Sequence, residues 1–287
     1  MAKQTEKRYS QYCRNNLIFN VIDSGPIDGK PVILLHGFPE TAHSWQATST
    51  ILNQQNFRTF AIEQRGYSLA ASPKGRFQYA IAELVADVKT FIDLLGQPVY
   101  VIGHDWGSIV ACELAQQYPN LVKHLTLVSV PHTGAFLKSM LSSTQIFTSY
   151  YIGFFQLPLI PELLFKRAKS LSLLLLKNSG MNTEQIRDFQ QHFIEENRIG
   201  TAINWYRSMP LAPIGSSFKK VKVPTLFIWG NKDIAVGKKS AQLNKQFFTG
   251  QYQEIYLDAT HWIPAQNAEQ LSHYFINAVN EGEHHAS

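Results

Sequence analysis

Apolar positions along the chain switch between two rhythms. Leu17 to Ile22, Val32 to Leu35, Arg58 to Ile62, Val99 to Ile102, Leu125 to Val130, Thr225 to Trp229 and Glu254 to Leu257 are strand-length runs rich in β-branched and aromatic residues. Between them the spacing turns helical. Ile81, Leu84, Val85, Val88, Ile92 and Leu95 recur at i, i+3, i+4 and i+7, and Gly96 closes that helix. Trp45 to Leu52, Ile109 to Tyr118 (stopped by Pro119), Lys238 to Phe248 and Ala268 to Val279 read as further helices. The alternation stops from about Pro131 to Pro213, where the signals are mostly helical: Phe136 to Ile146, Leu163 to Leu176 and Thr183 to Asn197. Alternating strands and helices predict an α/β fold with a mostly parallel central sheet flanked by helices. The helical block between two strands reads as an inserted lid. The expected division is a core of residues 1–130 and 214–287 and a helical cap of residues 131–213. Ligands of such sheets bind beyond the carboxyl ends of the strands, and each motif below sits at one of those ends.

Composition narrows the classes. The 287 residues are 45% hydrophobic and 16% charged, which is globular and not disordered. The net charge is +5, but the basic residues are dispersed and the longest clusters are pairs, Lys219-Lys220 and Lys238-Lys239. That pattern is a solvated basic surface, and no nucleic-acid partner is expected. The cysteines, Cys13 and Cys112, read as free thiols. Residues 1–12 are polar and lack a signal-peptide core. The most apolar stretch, Leu171 to Leu176, is too short to span a bilayer and is flanked by Lys169 and Lys177. The expectation is a cytoplasmic protein without membrane span, cofactor or metal, either monomer or homodimer.

The chemistry centres on Gly103-His104-Asp105-Trp106-Gly107, between a predicted strand and a predicted helix. A nucleophile elbow requires that context, with small residues two before and two after the reactive one. The usual occupant is Ser; here it is Asp105. A Ser ether formed at saturated carbon would be stable, whereas a carboxylate leaves an ester that water can cleave. With a reference pKa of about 3.9, Asp needs no base for the first attack. His36-Gly37-Phe38-Pro39 follows a strand, so the Phe38 N–H is expected to face the elbow and, with the Trp106 N–H, to form an oxyanion hole. Asp233 and His261 each follow a later strand. The order nucleophile, acid, histidine is that of α/β-hydrolases, with Asp233 orienting His261 and His261 deprotonating water. His104 and His132 read as structural.

These residues make the sequence resemble the α/β-hydrolase superfamily and, within it, the epoxide hydrolase branch. The resemblance runs through His36 to Glu40, Gln64-Arg65-Gly66-Tyr67-Ser68, Gly103 to Gly107, Gly230 to Asp233 and His261-Trp262. It implies two lid tyrosines that protonate the epoxide oxygen as the ring opens. Asn204-Trp205-Tyr206-Arg207 is similar to the motif carrying one of them, which points to Tyr206. The stretch Tyr150 to Pro158 is similar to the other, and counting back from Phe155-Gln156 selects Tyr151 over Tyr150. A phenol, with a reference pKa of about 10, stays protonated at neutral pH and can donate to an alkoxide. Two positions depart from the pattern. Glu63 replaces an expected Asp, a matter of loop packing, and Asp258-Ala259-Thr260 precedes His261 without the expected Gly.

Rival readings use the same elbow. A haloalkane dehalogenase would aim the Trp106 indole at a halide, but Phe38 stands where a second donor such as Asn is common. A fluoroacetate-type enzyme would need Arg in place of Trp106. A non-catalytic binder of hydrophobic ligands would not need Asp233 and His261, and an esterase or lactonase would use His261 on water directly. The lid is rich in Phe, Leu and Ile, including Phe147, Phe154, Phe155 and Leu157, so the expected partners are a small apolar epoxide and water.

Overall fold

A computed structural model of the chain describes residues 7–143, 145–211 and 218–286. Eight strands form one sheet: β1 (Gln11–Arg14), β2 (Leu17–Ser24), β3 (Lys30–Leu35), β4 (Phe57–Ile62), β5 (Val99–His104), β6 (Val122–Val128), β7 (Thr225–Gly230) and β8 (Tyr252–Leu257), in the spatial order β1-β2-β4-β3-β5-β6-β7-β8. From β4 onward every neighbouring pair is parallel, while β1–β2 and β2–β4 are antiparallel. Strand β1 has no counterpart in the sequence-based expectation. It enters through a two-residue turn in which Asn15 and Asn16 both take positive φ, and Tyr12 stacks on Phe19 at 4.9 Å.

All residues of β4, β5 and β7 are buried, and β5 and β7 accordingly carry the apolar runs Val99 to Ile102 and Leu226 to Trp229. The sheet separates two cores. Ile33, Leu35, Val101 and Leu127 pack on one face against α2 (Ile81–Leu95) and α3 (Trp106–Gln117). Val32, Leu34, Ile102 and Ile228 pack on the other, with Leu52 of α1 (Gln46–Gln54) and Leu271 and Phe275 from the C-terminal helix. Gly96 ends α2 in the left-handed region, its N–H bonding the carbonyls of Ile92 and Asp93.

Between β6 and β7 the described residues form seven α-helices: α4 (Thr133–Ser142), α5 (Gln145–Thr148), α6 (Tyr150–Phe155), α7 (Ile160–Arg167), α8 (Lys169–Asn178), α9 (Thr183–Phe189) and α10 (Ile199–Ser208). The chain closes with α11 (Lys238–Leu243), α12 (Ile263–Gln266) and α13 (Ala268–Ala286). Several boundaries differ from expectation. Strand β6 starts at Val122 and stops at Val128, because Ser129 turns to φ +66°. The predicted helix Leu163 to Leu176 breaks at Ala168, and its first part starts from Leu159 in the left-handed region with Pro161 in the first turn. Helix α9, capped by Asn182 and Gln185, widens into a π-helix, Gln190–Glu195, before Asn197 turns to positive φ. The predicted edge of the cap at residue 213 lies outside the described residues. Cys13 is exposed and Cys112 buried, both free.

Candidate active site

The elbow is built by glycines that make room for it. A β-carbon on Gly103 would lie 2.2 Å from the Gly107 carbonyl oxygen, and one on Gly107 would lie 2.0 Å from that of Leu35. With both neighbours reduced to backbone, the chain turns sharply from β5 into α3. Asp105 sits at the apex with φ 51° and ψ −119°, a conformation that side-chain-bearing residues rarely adopt. Gly37 is required for the same reason, since a β-carbon there would meet Asp105 Cβ at 2.3 Å. That close approach lets the Phe38 N–H donate to Asp105 Oδ1 at 2.8 Å. The Trp106 N–H, in the first turn of α3, has no intrahelical acceptor.

The residues expected to act together are brought together. His261 Nε2 lies 3.5 Å from Asp105 Oδ2, and its Nδ1 lies 2.6 Å from Asp233 Oδ2. The other oxygen of Asp233 accepts from the backbone N–H groups of Ala235 (2.8 Å) and Val236 (2.9 Å), which fixes the carboxylate. Burial by itself disfavours a charged imidazole. The Asp233 and Asp105 carboxylates outweigh it and raise the His261 pKa to about 10. Burial likewise opposes the Asp105 charge, but the bond and charge of His261 and the Phe38 N–H hold its pKa below the usual carboxylate value.

A second polar pair stands behind the first; from sequence His104 reads as structural and its pairing with Glu40 is not anticipated. His104 points Nδ1 at Glu40 Oε2 (2.9 Å) and Nε2 at the His261 carbonyl oxygen (2.9 Å), and that carbonyl also accepts from Ser129 Oγ at 2.7 Å. Both ring nitrogens of His104 are thus engaged, one by the Glu40 carboxylate and one by the His261 backbone carbonyl. Gln185 of α9 donates to the other Glu40 oxygen at 3.1 Å. The only sequence signal was a carboxylate closing an otherwise apolar loop. His132 is structural: its ring accepts from the Gly134 N–H at the start of α4 and stacks on Phe247 at 4.4 Å. Glu63, read from sequence as a loop-packing change, is a buried carboxylate; burial pushes its pKa up to about 7, offset in part by the Ala42 N–H. Its Oε1 has no hydrogen-bond partner among the described residues.

Tyr206 on α10 and Tyr151 on α6 face each other with ring centroids 5.9 Å apart, and Tyr206 meets Trp106 edge-on at 5.1 Å. Tyr150 instead points outward and is 68% exposed. Burial, and then the Asp105 charge, push both inward phenols above their ordinary pKa; for Tyr206 a hydrogen bond with the Trp106 side chain offsets part of this. Backbone carbonyls of the core hold α10 in place. Trp205 Nε1 donates to Arg65 O (2.8 Å), Thr201 Oγ1 to Gly66 O (2.6 Å) and Ser208 Oγ to Tyr79 O (2.7 Å). A cavity of about 60 Å³ opens on Asp105, Trp106, Tyr151 and Tyr206, and Phe136, Ile152, Met209 and Val236 complete its wall. A larger cleft of about 800 Å³ lies between Glu40–Ile51 and Asn182–Asp188 and touches none of Asp105, His261 or the two tyrosines. Among the described residues no group of three His, Cys, Asp or Glu side chains is placed to hold a metal ion, and no helix is long and apolar enough to cross a membrane.

Comparison with known proteins agrees with this architecture. The alpha/beta hydrolase fold family matches residues 30–268. The chain is similar to epoxide hydrolase 2 of Caenorhabditis elegans, 30% identical over 278 residues that cover 93% of this chain and 78% of the relative. It is similar to epoxide hydrolase 3 of Mus musculus, also at 30% identity, over 91% of this chain and 73% of the relative. Among solved structures it shares its fold with an inhibitor complex of the Bacillus megaterium epoxide hydrolase, with a TM-score of 0.82 at 21% identity, covering 94% of this chain and 99% of the other. The chain is a hydrolase and belongs to the alpha/beta hydrolase fold family, in its epoxide-hydrolase-like branch.

Proposed function

We propose that the chain opens epoxides to vicinal diols through a covalent ester on Asp105, with residues 131–213 acting as a cap over the site and the cytoplasm as its compartment. One observation carries the reading. A carboxylate occupies the elbow, with one oxygen on the Phe38 N–H and the other beside His261, and it shares a small apolar cavity with two phenols, Tyr206 buried and Tyr151 half-buried. The names of the relatives at 30% identity support the same substrate class.

In the first step Asp105 attacks a ring carbon, the C–O bond breaks, and Tyr206 or Tyr151 gives its proton to the departing oxygen. Both phenols are held protonated by burial and by the negative charge of Asp105. Forming the ester removes that charge. One of the two carboxylates that kept His261 protonated is then gone, so the imidazole releases its proton, which balances the tyrosinate left by ring opening. Neutral His261 becomes the base for water, which attacks the Asp105 carbonyl carbon. The Phe38 and Trp106 N–H groups stabilise the oxyanion, and Asp233 stabilises the imidazolium that re-forms. Collapse releases the diol and regenerates Asp105. Tyr206 meets the Trp106 indole edge-on at 5.1 Å and Phe38 offers no second side-chain donor, which favours epoxide over halide as leaving group.

The test is styrene oxide and aliphatic epoxides against wild type, Asp105→Ala and His261→Gln. Wild type is expected to form diol and His261→Gln to accumulate an ester on Asp105 detectable by mass spectrometry. Tyr206→Phe is expected to lose about 10²–10⁴-fold in ring opening. Diol formation undiminished in Asp105→Ala, or halide release from bromoalkanes without diol from any epoxide, would refute the proposal.

A further inference from the structure

We propose that the outer face of α7 and α8 docks on an anionic lipid surface. Ten of the eighteen exposed large hydrophobic residues among those described fall between residues 141 and 175, so apolar exposure is concentrated there and not scattered singly. Ile160 and Leu163 on α7 and Leu171, Leu174 and Leu175 on α8 are between 45% and 52% exposed. On α8 the three leucines stand at i, i+3 and i+4 and share one face. The opposite sides are already committed: Phe165, Leu173 and Leu176 pack into the main core. The outer leucines are therefore not needed to hold the helices down.

Charge identifies the occupant. Lys166, Arg167 and Lys177 are exposed on the same two helices and none takes part in a salt bridge among the described residues, whereas Lys169 stands on the inner side of α8 beside Ser172, Leu173 and Glu195. Glu162 is the sole acid from Leu157 to Gly180, and Arg207 engages it at 2.6 Å. The face is apolar with three cations, Lys166, Arg167 and Lys177, that form no salt bridge among the described residues. A second copy of the chain would set three cations against three, which opposes symmetric self-association. An anionic bilayer supplies both complements, hydrocarbon for the leucines and phosphates for the amines. Short helices with lysines at their borders suit binding in the interfacial plane, not spanning. The surface is independent of the chemistry at Asp105.

The test is co-sedimentation of the intact chain with vesicles of phosphatidylcholine alone and of phosphatidylcholine with about 30 mol% phosphatidylglycerol, at low ionic strength and at about 0.5 M salt. Binding is expected only to the phosphatidylglycerol vesicles and is expected to fall with salt. Arg167→Gln and Lys177→Gln should each lower partitioning about fivefold. Leu174→Ser with Leu175→Ser should lower it at least about tenfold, with an unchanged melting temperature confirming the fold. The proposal is overturned if wild type does not sediment with anionic vesicles, if it binds neutral and anionic vesicles alike, or if the variants bind as wild type does. It is also overturned if light scattering finds a wild-type dimer that the leucine variants dissociate, which would assign the face to self-association.

Discussion

Asp105 holds a backbone conformation that few side chains tolerate, and three glycines, Gly37, Gly103 and Gly107, yield the space for it. His261 sits between Asp105 and Asp233, which raise its pKa to about 10 against the opposing effect of burial. A histidine with a raised folded-state pKa contributes stability that is fully present below its unfolded pKa of about 6.5 and lost as pH rises through the folded value. Urea unfolding between pH 6 and 10 should therefore show wild type losing stability relative to His261→Gln across that window; parallel curves would mean that His261 is not charged in the resting protein. At this scale the sequence was informative where a role follows from chain order, as for Asp105, Asp233 and His261. It said nothing of the Glu40–His104 pair, since 64 residues separate the partners and neither has a local spacing that announces the other. Glu63 is similar: a one-carbon change in a loop motif is a buried carboxylate whose Oε1 has no hydrogen-bond partner among the described residues and lies 3.8 Å from His36 Nε2, a residue 27 positions away.

Among the elements, α6 and α10 matter most, because each carries one phenol. They are tied to each other by Gln156 Nε2 on the Tyr206 carbonyl (2.7 Å) and by Arg207, whose Nε donates to the Phe155 carbonyl (3.1 Å) and whose guanidinium grips Glu162 through two bonds of 2.6 and 3.0 Å. Arg207→Met should release this fork and let the tyrosines drift. The expected result is a fall in kcat on the order of 10–100-fold with a smaller change in KM. Arg207→Lys should recover little, because a point charge cannot replace the fork. Unchanged kcat in Arg207→Met would show that the core contacts of Trp205 and Ser208 suffice. The sequence pattern placed helices in this region but not their breaks. Those follow from single residues, the left-handed Leu159 and Asn197 and the widened π turn, whose conformations depend on what the helices meet. Strand β1 was missed because four residues carry too short a pattern, although Asn15-Asn16 is a turn signal.

The whole molecule is a sheet covered on both faces, with the site at the carboxyl ends of β5, β7 and β8 and a helical segment across it. Stability should follow burial. Strands β3 and β5 are buried almost throughout, whereas α8 buries only Ser172 and α7 only Pro161 and Phe165. Hydrogen exchange should find amides of β3 and β5 slowest, with α7 and α8 exchanging at least about tenfold faster than α2 and α3. Equal protection of all four helices would contradict this picture.

The sequence by itself determined the alternation of strands and helices, the elbow with its carboxylate, and the order of acid and histidine behind it. The strands, helices and elbow depend on residues within a few positions of one another, where sterics and periodicity act locally, and the acid and histidine are read from their place after successive strands. Tertiary structure alone decided that Glu40 meets His104, that Glu63 is buried beside His36, and that the leucines of α8 face outward. Each of these depends on how loops and short helices are placed against the sheet. That placement is set by contacts such as Trp205 on Arg65, made between residues far apart in the chain, and no local pattern encodes it.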